Sequence, residues 1–219
     1  MNLEALGAFA LLCFSSLLAL LNPLSVAPLY LALTAGYTRA HQMRTLRTAI
    51  LTGAIVLYFF AILGGTLFQL LGITLEAFRI AGGIILFGIG MDMLQAKQSR
   101  VKATPEEEEE ALQKEDIAIT PLGIPLIVGP GSITTVMVLT GSATTGAHLV
   151  VLFVIILVVL AIVFAALATA PRLVRHFGQT GLNVMTRIMG LLLTVIGVQF
   201  IIDGAQPVVL ALLRAVGGA

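Results

Sequence analysis

Residues 16–33 read SLLALLNPLSVAPLYLAL, an almost unbroken apolar run carrying an Asn-Pro pair and a second proline, Pro28, five residues after the first. Proline inside a helix removes an i→i−4 hydrogen bond and collides with a carbonyl one turn back, a penalty of about 3 kcal/mol or more. The stretch is nearly long enough to cross a bilayer by itself. Helix breakers at its centre need a physical reason.

Composition sets the frame. The chain is 58% hydrophobic and only 11% charged over 219 residues. Soluble domains carry about 25% charged residues, so a water-soluble globule is excluded. Apolar runs of membrane length, about 20 residues, recur throughout. Six spans are expected, at residues 6–33, 46–71, 75–94, 117–139, 148–169 and 184–202. The fold class is therefore an all-α membrane protein of six transmembrane helices. Four segments follow: a three-helix unit at 1–95, a charged linker at 96–116, a second three-helix unit at 117–204 and a tail at 205–219. The tail, with PVVLALLRAVGGA, is too short to cross and is expected to lie at the interface. The opening MNLEALGAFALL has no basic n-region and reads as the start of the first span rather than a cleaved leader. Cys13, the one cysteine, excludes an internal disulfide and reads as a small residue of the apolar interior.

Basic residues orient the spans. Arg39, Arg44 and Arg47 fall in the first loop, Lys97, Arg100, Lys102 and Lys114 in the third, and Arg172 and Arg175 in the fifth. The even loops hold Arg79 and the tail Arg214. Odd loops are expected in the cytoplasm and both termini outside, in a multi-pass membrane protein. The acidic run at 106–110 leaves this unchanged, since acidic residues contribute little to the rule. Thr104, Pro105 and Glu107 have the form of a capping box with proline at the first helical position. A solvated helix is the simple reading; a regulatory or partner-binding segment is the alternative.

The halves resemble each other. NPLSVAP in the first span matches GPGSITT in the fourth, aligning Pro23 with Pro130 and Ser25 with Ser132. The third and sixth spans share Arg-Ile-x-Gly, at Arg79 and Arg187, and glycines seven apart, Gly83 and Gly90 against Gly190 and Gly197. Three spans per half is an odd number, so the second half must enter the membrane upside down. The expected architecture is an inverted 3+3 repeat with helices 1 and 4 broken near the midplane, a pattern that points to a secondary transporter with its site at the breaks.

Breaks of this kind free backbone groups that hydrocarbon cannot satisfy. Each restarted helix also presents the positive end of its dipole. Gly129, Pro130 and Gly131 permit sharp unwinding, after which Gly131, Ser132 and Ile133 would offer N–H donors to an anion. Asn22, Ser25, Ser132, Thr134 and Thr135 supply neutral donors and acceptors, with Pro23 and Pro28 shaping the first break. A small zwitterion suits such a pocket. A single proline kink would mean little; two at matching positions of a repeat favour a site. Serines and threonines taken singly also bond their own helix. Gly82, Gly83, Gly88, Gly90, Gly190 and Gly197 read as close helix packing, with a gating hinge as the alternative. Asp92 and Asp203 read as interfacial, with proton coupling as theirs.

The stretches NPLSVAPLYLALT and TPLGIPLIVGPGSITTVMVL resemble the MarC family of bacterial and archaeal inner-membrane proteins over essentially the whole chain. The resemblance implies six spans in an inverted repeat and membership of the lysine-exporter superfamily. It further implies, from SnatA-type members, transport of small neutral amino acids such as glycine and alanine. The family motif falls on Asn22, Pro23, Pro28, Gly129, Pro130 and Gly131. This sequence has Ser25 and Val26 where the family often has Gly-Asn.

The expected function is thus secondary transport of a small neutral amino acid. Its expected partners are that substrate and the lipid bilayer, with no nucleic acid, no metal and no cofactor. A coupling ion, H⁺ or Na⁺, stays open, as do direction of transport and oligomeric state. A membrane scaffold or partner subunit is the rival reading, and a channel another. An intramembrane enzyme is disfavoured because no paired carboxylates, His-Glu motif, Ser-Lys dyad or phosphate loop lies beside a span. In a Cys13→Ala background, we expect a cysteine at position 107 to label only once the cytoplasm is opened. A cysteine at 144 should label from outside, and the reverse pattern would invert the assigned orientation.

Overall fold

Helix boundaries follow the capping chemistry of the sequence. The computed structural model describes residues 3–95 and 117–217, and every regular element among them is helical. The linker at 96–116, with its expected cap at Thr104, lies outside the described residues. Helix α1 (Leu3–Leu21) stops at Asn22, and α2 (Pro23–Leu33) restarts with proline at its first position. There the missing N–H would have no partner anyway. Helix α3 (Arg39–Leu71) begins after Thr38, whose hydroxyl accepts from the His41 N–H at 3.3 Å. It ends at Gly72, which takes a left-handed φ of 65°. Thr74 caps α4 (Leu75–Leu94), accepting from the Ala77 N–H at 3.2 Å.

The second half is less regular at its start. α5 (Ala118–Ile127) is wound in wide turns, with Leu122 N–H bonded to the Ile117 carbonyl at 3.1 Å. Its peptides before Pro121 and Pro125 are cis. α6 (Pro130–Ser142) follows at a 60° bend, and α7 (Gly146–Ala168) is the most apolar helix. α8 (Ala170–Gly217) turns at Gly178, where φ is 62° and ψ 175°, then runs unbroken past Pro207. The expected separate tail is instead the end of α8, because one proline in a long helix removes a single ladder bond and leaves the rest intact. The second span likewise starts earlier than its apolar stretch, since the Thr38 cap lets the basic turn at Arg39, Arg44 and Arg47 join the helix.

Among the described residues, five segments are long and apolar enough to span a bilayer, or six with the bent α5–α6 pair. Outward positions are apolar too: Leu51, Ile55, Leu157 and Val195 are each about 60% exposed. Water would not tolerate that surface, whereas lipid does.

The tightest seam joins α4 to α8. A Cβ built on Gly197 would lie 2.8 Å from the Gly83 carbonyl oxygen, and one on Gly190 would lie 2.8 Å from the Gly90 carbonyl oxygen. Residues 83 with 197 and 90 with 190 make an antiparallel crossing in which two backbones touch. Small residues allow that approach, and dispersion contacts accumulate along it. Gly82 faces Thr134 of α6 instead, and Gly88 has open space around it. Gly88 is therefore not the packing residue its sequence context implied. α3 lies against α5 and α6, while α7 lies against α1 and α2. Tyr58 ties α3 to α7 by donating to the Phe153 carbonyl at 2.8 Å.

Gly190→Ala forces the α4 and α8 backbones apart. We expect a loss of about 1–3 kcal/mol, read as a clearly lower melting temperature in detergent. Gly88→Ala should leave it unchanged or raise it slightly.

Candidate functional site

Asn22 ends one helix and starts the next. Its N–H still bonds to the Leu18 carbonyl at 3.0 Å, completing α1. Pro23 has no N–H to return, so the Ala19 carbonyl loses its i+4 partner. Asn22 then takes φ 33° and ψ 75°, the one positive φ among the described non-glycine residues. Asparagine tolerates this region better than most side chains. Its carbonyl accepts from Ser25 N–H at 3.1 Å and Val26 N–H at 3.3 Å, which launches α2.

The side chain completes the joint. Asn22 Oδ1 accepts from the Ser25 N–H at 3.4 Å, and Asn22 Nδ2 donates to Ser25 Oγ at 2.7 Å. Ser25 Oγ lies 2.8 Å from Thr186 Oγ1 of α8. A three-residue polar chain thus runs from a fully buried amide to an exposed hydroxyl and fastens the joint to the other half of the molecule. Asn22 was expected to face a ligand; one donor and one acceptor of its amide are occupied by capping α2. Pro23 is buried beneath it and Pro28 half-buried inside α2.

The second interruption is built differently. Val128 and Gly129 are extended, at ψ 94° and 175°, and turn the chain between α5 and α6. The Gly129 carbonyl accepts from Ser132 N–H at 3.0 Å, Ile133 N–H at 3.2 Å and Ser132 Oγ at 2.8 Å. Two of the three amides expected to await an anion are therefore bonded within their own turn, as is the Ser132 hydroxyl. The Gly131 amide is the third, and the residue that carries it is buried. A Cβ there would lie 2.6 Å from Ile89 Cδ1 and 3.3 Å from Leu20 Cδ2. Gly131 is a packing residue in this conformation, so a bulky substitution would act first through Ile89 and Leu20. Pro130 is exposed and Thr134 half-buried against Gly82.

Leu20, two residues before Asn22, meets Gly131, two residues after Gly129. That contact brings the interruptions side by side. One turn back along α1 from Leu20 is Ser16, and one turn along α6 from Gly131 is Thr135. Both are fully buried, and neither hydroxyl has a hydrogen-bond partner among the described residues. This departs from the habit of the chain. Ser15, Thr34, Ser142, Thr169 and Thr194 each donate to the carbonyl four residues back, at 2.7–2.8 Å. Ser16 was missed by reading only the residues after each break. Its i−4 position relative to Leu20 was the available signal.

The remaining polar groups have local roles. His148 Nδ1 lies 2.7 Å from Thr145 Oγ1 and its ring meets Phe9 edge-on, while His41 stacks on Tyr37. Asp203 accepts from Gln199 Nε2 at 2.7 Å, and Arg79 donates to Ser142 Oγ at 2.6 Å. Among the described residues no group of three His, Cys, Asp or Glu could hold a metal ion.

Sequence comparison now bears on this arrangement. The model of the MarC family integral membrane proteins matches residues 7–209. This chain belongs to the MarC family. It is 39% identical to a UPF0056 membrane protein of Aquifex aeolicus over 93% of this chain and 95% of that one. Identity is 38% to the UPF0056 membrane protein YhcE of Escherichia coli, over 92% and 94% of the two chains. It is 37% to YvbG of Bacillus subtilis, over 91% and 95%. No solved structure matches.

Within this MarC-family chain the joint at Asn22 has a measurable signature. Asn22→Ala loses both the cap and the left-handed preference and should destabilise the protein by about 1–3 kcal/mol. Asn22→Gly keeps the backbone freedom and should cost less, with thermal unfolding in detergent as the measurement. Equal losses would mean that the conformation at residue 22 is unimportant.

Proposed function

We propose that this MarC-family protein is a secondary transporter of small neutral amino acids such as glycine and alanine. It works by alternating access around the interruptions at Asn22 and Gly129, which are the broken helices of an inverted 3+3 repeat. One observation carries the reading: exchanging the halves exchanges the contacts. The sequence repeat pairs Gly83 with Gly190 and Gly90 with Gly197. Under that pairing, the contact of Gly83 with Gly197 becomes the contact of Gly190 with Gly90, and both exist. The same exchange turns the packing of α3 on α5 and α6 into the packing of α7 on α1 and α2. Such two-fold relations, with discontinuous helices in matching positions, accompany a central substrate site in transporters.

In this reading α1 and α6 are antiparallel, so the unpartnered Ser16 and Thr135 hydroxyls sit at one level, a turn away from the interruptions. Unsatisfied buried hydroxyls are costly, and a substrate ammonium or carboxylate would satisfy them. The Gly131 amide is the backbone donor for the carboxylate once Ile89 and Leu20 swing aside, which makes this conformation a closed one. No covalent step is involved. The protein lies in the inner membrane with its termini outside, following the basic loops.

Counterflow of labelled alanine in proteoliposomes tests the proposal. Saturable exchange, stimulated by unlabelled alanine or glycine on the opposite side, is the expected result. Thr135→Val keeps the shape and removes an unpartnered hydroxyl, so folding stability should hold or rise. Affinity should fall by the worth of one buried hydrogen bond, about 5- to 150-fold. A well-folded protein that exchanges no small neutral amino acid would leave a scaffold as the better account.

A further inference from the structure

We infer that the end of the bundle where α3 begins and α7 gives way to α8 holds a binding site for a phosphate group, presented by an anionic phospholipid. The site is separate from the interruptions and does not depend on the transport reading. A cleft of about 290 Å³ opens there, lined by Arg39, Gln42, Ala168, Thr169, Pro171 and Arg172. That is the share of about ten liquid waters, enough for a phosphate and the small polar group esterified to it. Among the described residues, two guanidinium groups line the cleft and no carboxylate does.

The walls are held in place. Arg39 Nη2 donates to the Ala168 carbonyl at 2.6 Å, which fixes one guanidinium across the mouth of α7. Gln42 Nε2 donates to the Thr34 carbonyl at 3.1 Å, and its own carbonyl accepts from the Tyr30 hydroxyl at 3.2 Å. Arg172 is exposed, its backbone N–H donates to the Thr169 carbonyl at 2.9 Å, and its guanidinium has neither hydrogen bond nor ion pair among the described residues. Planar guanidinium forks match phosphate oxygens in pairs, and Arg172 has its fork unoccupied.

Position argues for a lipid as the source. Arg39 opens one membrane-length segment and Ala168 closes another, so the cleft sits where hydrocarbon gives way to headgroups. Back along α7 from Thr169, seven and eleven residues away on the same face, Ile162 is 36% and Val158 39% exposed. An acyl chain would lie along that face with its phosphate at the arginines. Basic pockets between membrane helices bind anionic headgroups in this way.

The test uses the full chain in detergent, with thermal unfolding and native mass spectrometry as readouts. Phosphatidylglycerol should raise the melting temperature and persist as a single bound lipid, while phosphatidylcholine should do neither. Arg172→Gln, at an exposed position, should fold normally and weaken phosphatidylglycerol binding about tenfold or more. Arg175→Gln, outside the lining, should bind nearly as wild type. Inorganic phosphate separates the sources. Protection by phosphate that depends on Arg172, without protection by phosphatidylglycerol, would overturn the lipid and leave a soluble phosphate. Equal protection by the two lipids, or unchanged phosphatidylglycerol binding in Arg172→Gln, would overturn the site itself.

Discussion

A peptide group in hydrocarbon has no water to turn to, and that constraint shapes this molecule more than any single contact. Helices satisfy it by default. Where this chain leaves the helix at Asn22 and at Gly129 it must therefore supply substitutes, and it does so by different means. At Asn22 a side-chain amide stands in for the missing ladder, with Ser25 and Thr186 extending the chain of polar groups. At Gly129 one carbonyl gathers three donors from the turn that follows. Both solutions lie beside the contact between Leu20 and Gly131, so the polar interior of the protein is concentrated in one region of an otherwise apolar bundle.

The α4–α8 seam is the mechanical counterpart. Backbone touching backbone leaves little room for sliding, because protein interiors are close-packed and respond to displacement by discrete rearrangement. Around the interruptions, α6 meets α1 through Leu20 and α4 through Ile89, and Val128 meets Gly53 of α3, all through side chains whose far ends can rotate. Rigid seam and adaptable joints fall in different places, and the adaptable ones are where the helices are interrupted.

Much of this was legible in the sequence. Apolar runs located the spans, and Asn-Pro and Gly-Pro-Gly located the interruptions, because proline and glycine act on their own backbone. The seam was legible from glycines seven residues apart. What escaped notice depends on which neighbour a residue meets. Gly88 sits between glycines that pack, yet helical rotation turns it to open space. Gly131 was expected to face a ligand and faces Ile89. The end of α8 was expected as a separate tail, too short to cross, and is continuous with the span before it, since Pro207 interrupts one bond and not the helix. The hydroxyls of Ser132 and Thr135 are three residues apart on one helix. One bonds its own turn and the other has no partner among the described residues, a difference set by the geometry of Gly129 that composition does not encode.

The two interruptions are unequal in direction. α1 and α2 continue as one 30-residue apolar segment, whereas α5 and α6 meet at 60°. Under the transport proposal, in which the halves are versions of one another, such inequality is information. Each half displays a shape that the other has the sequence to adopt, so the pair can be read as two frames of the same movement. Under the transport proposal, trading those shapes, with the first pair bent and the second drawn straight, gives a concrete picture of the opposite-facing protein. It would require no new fold, only an exchange of roles between the halves.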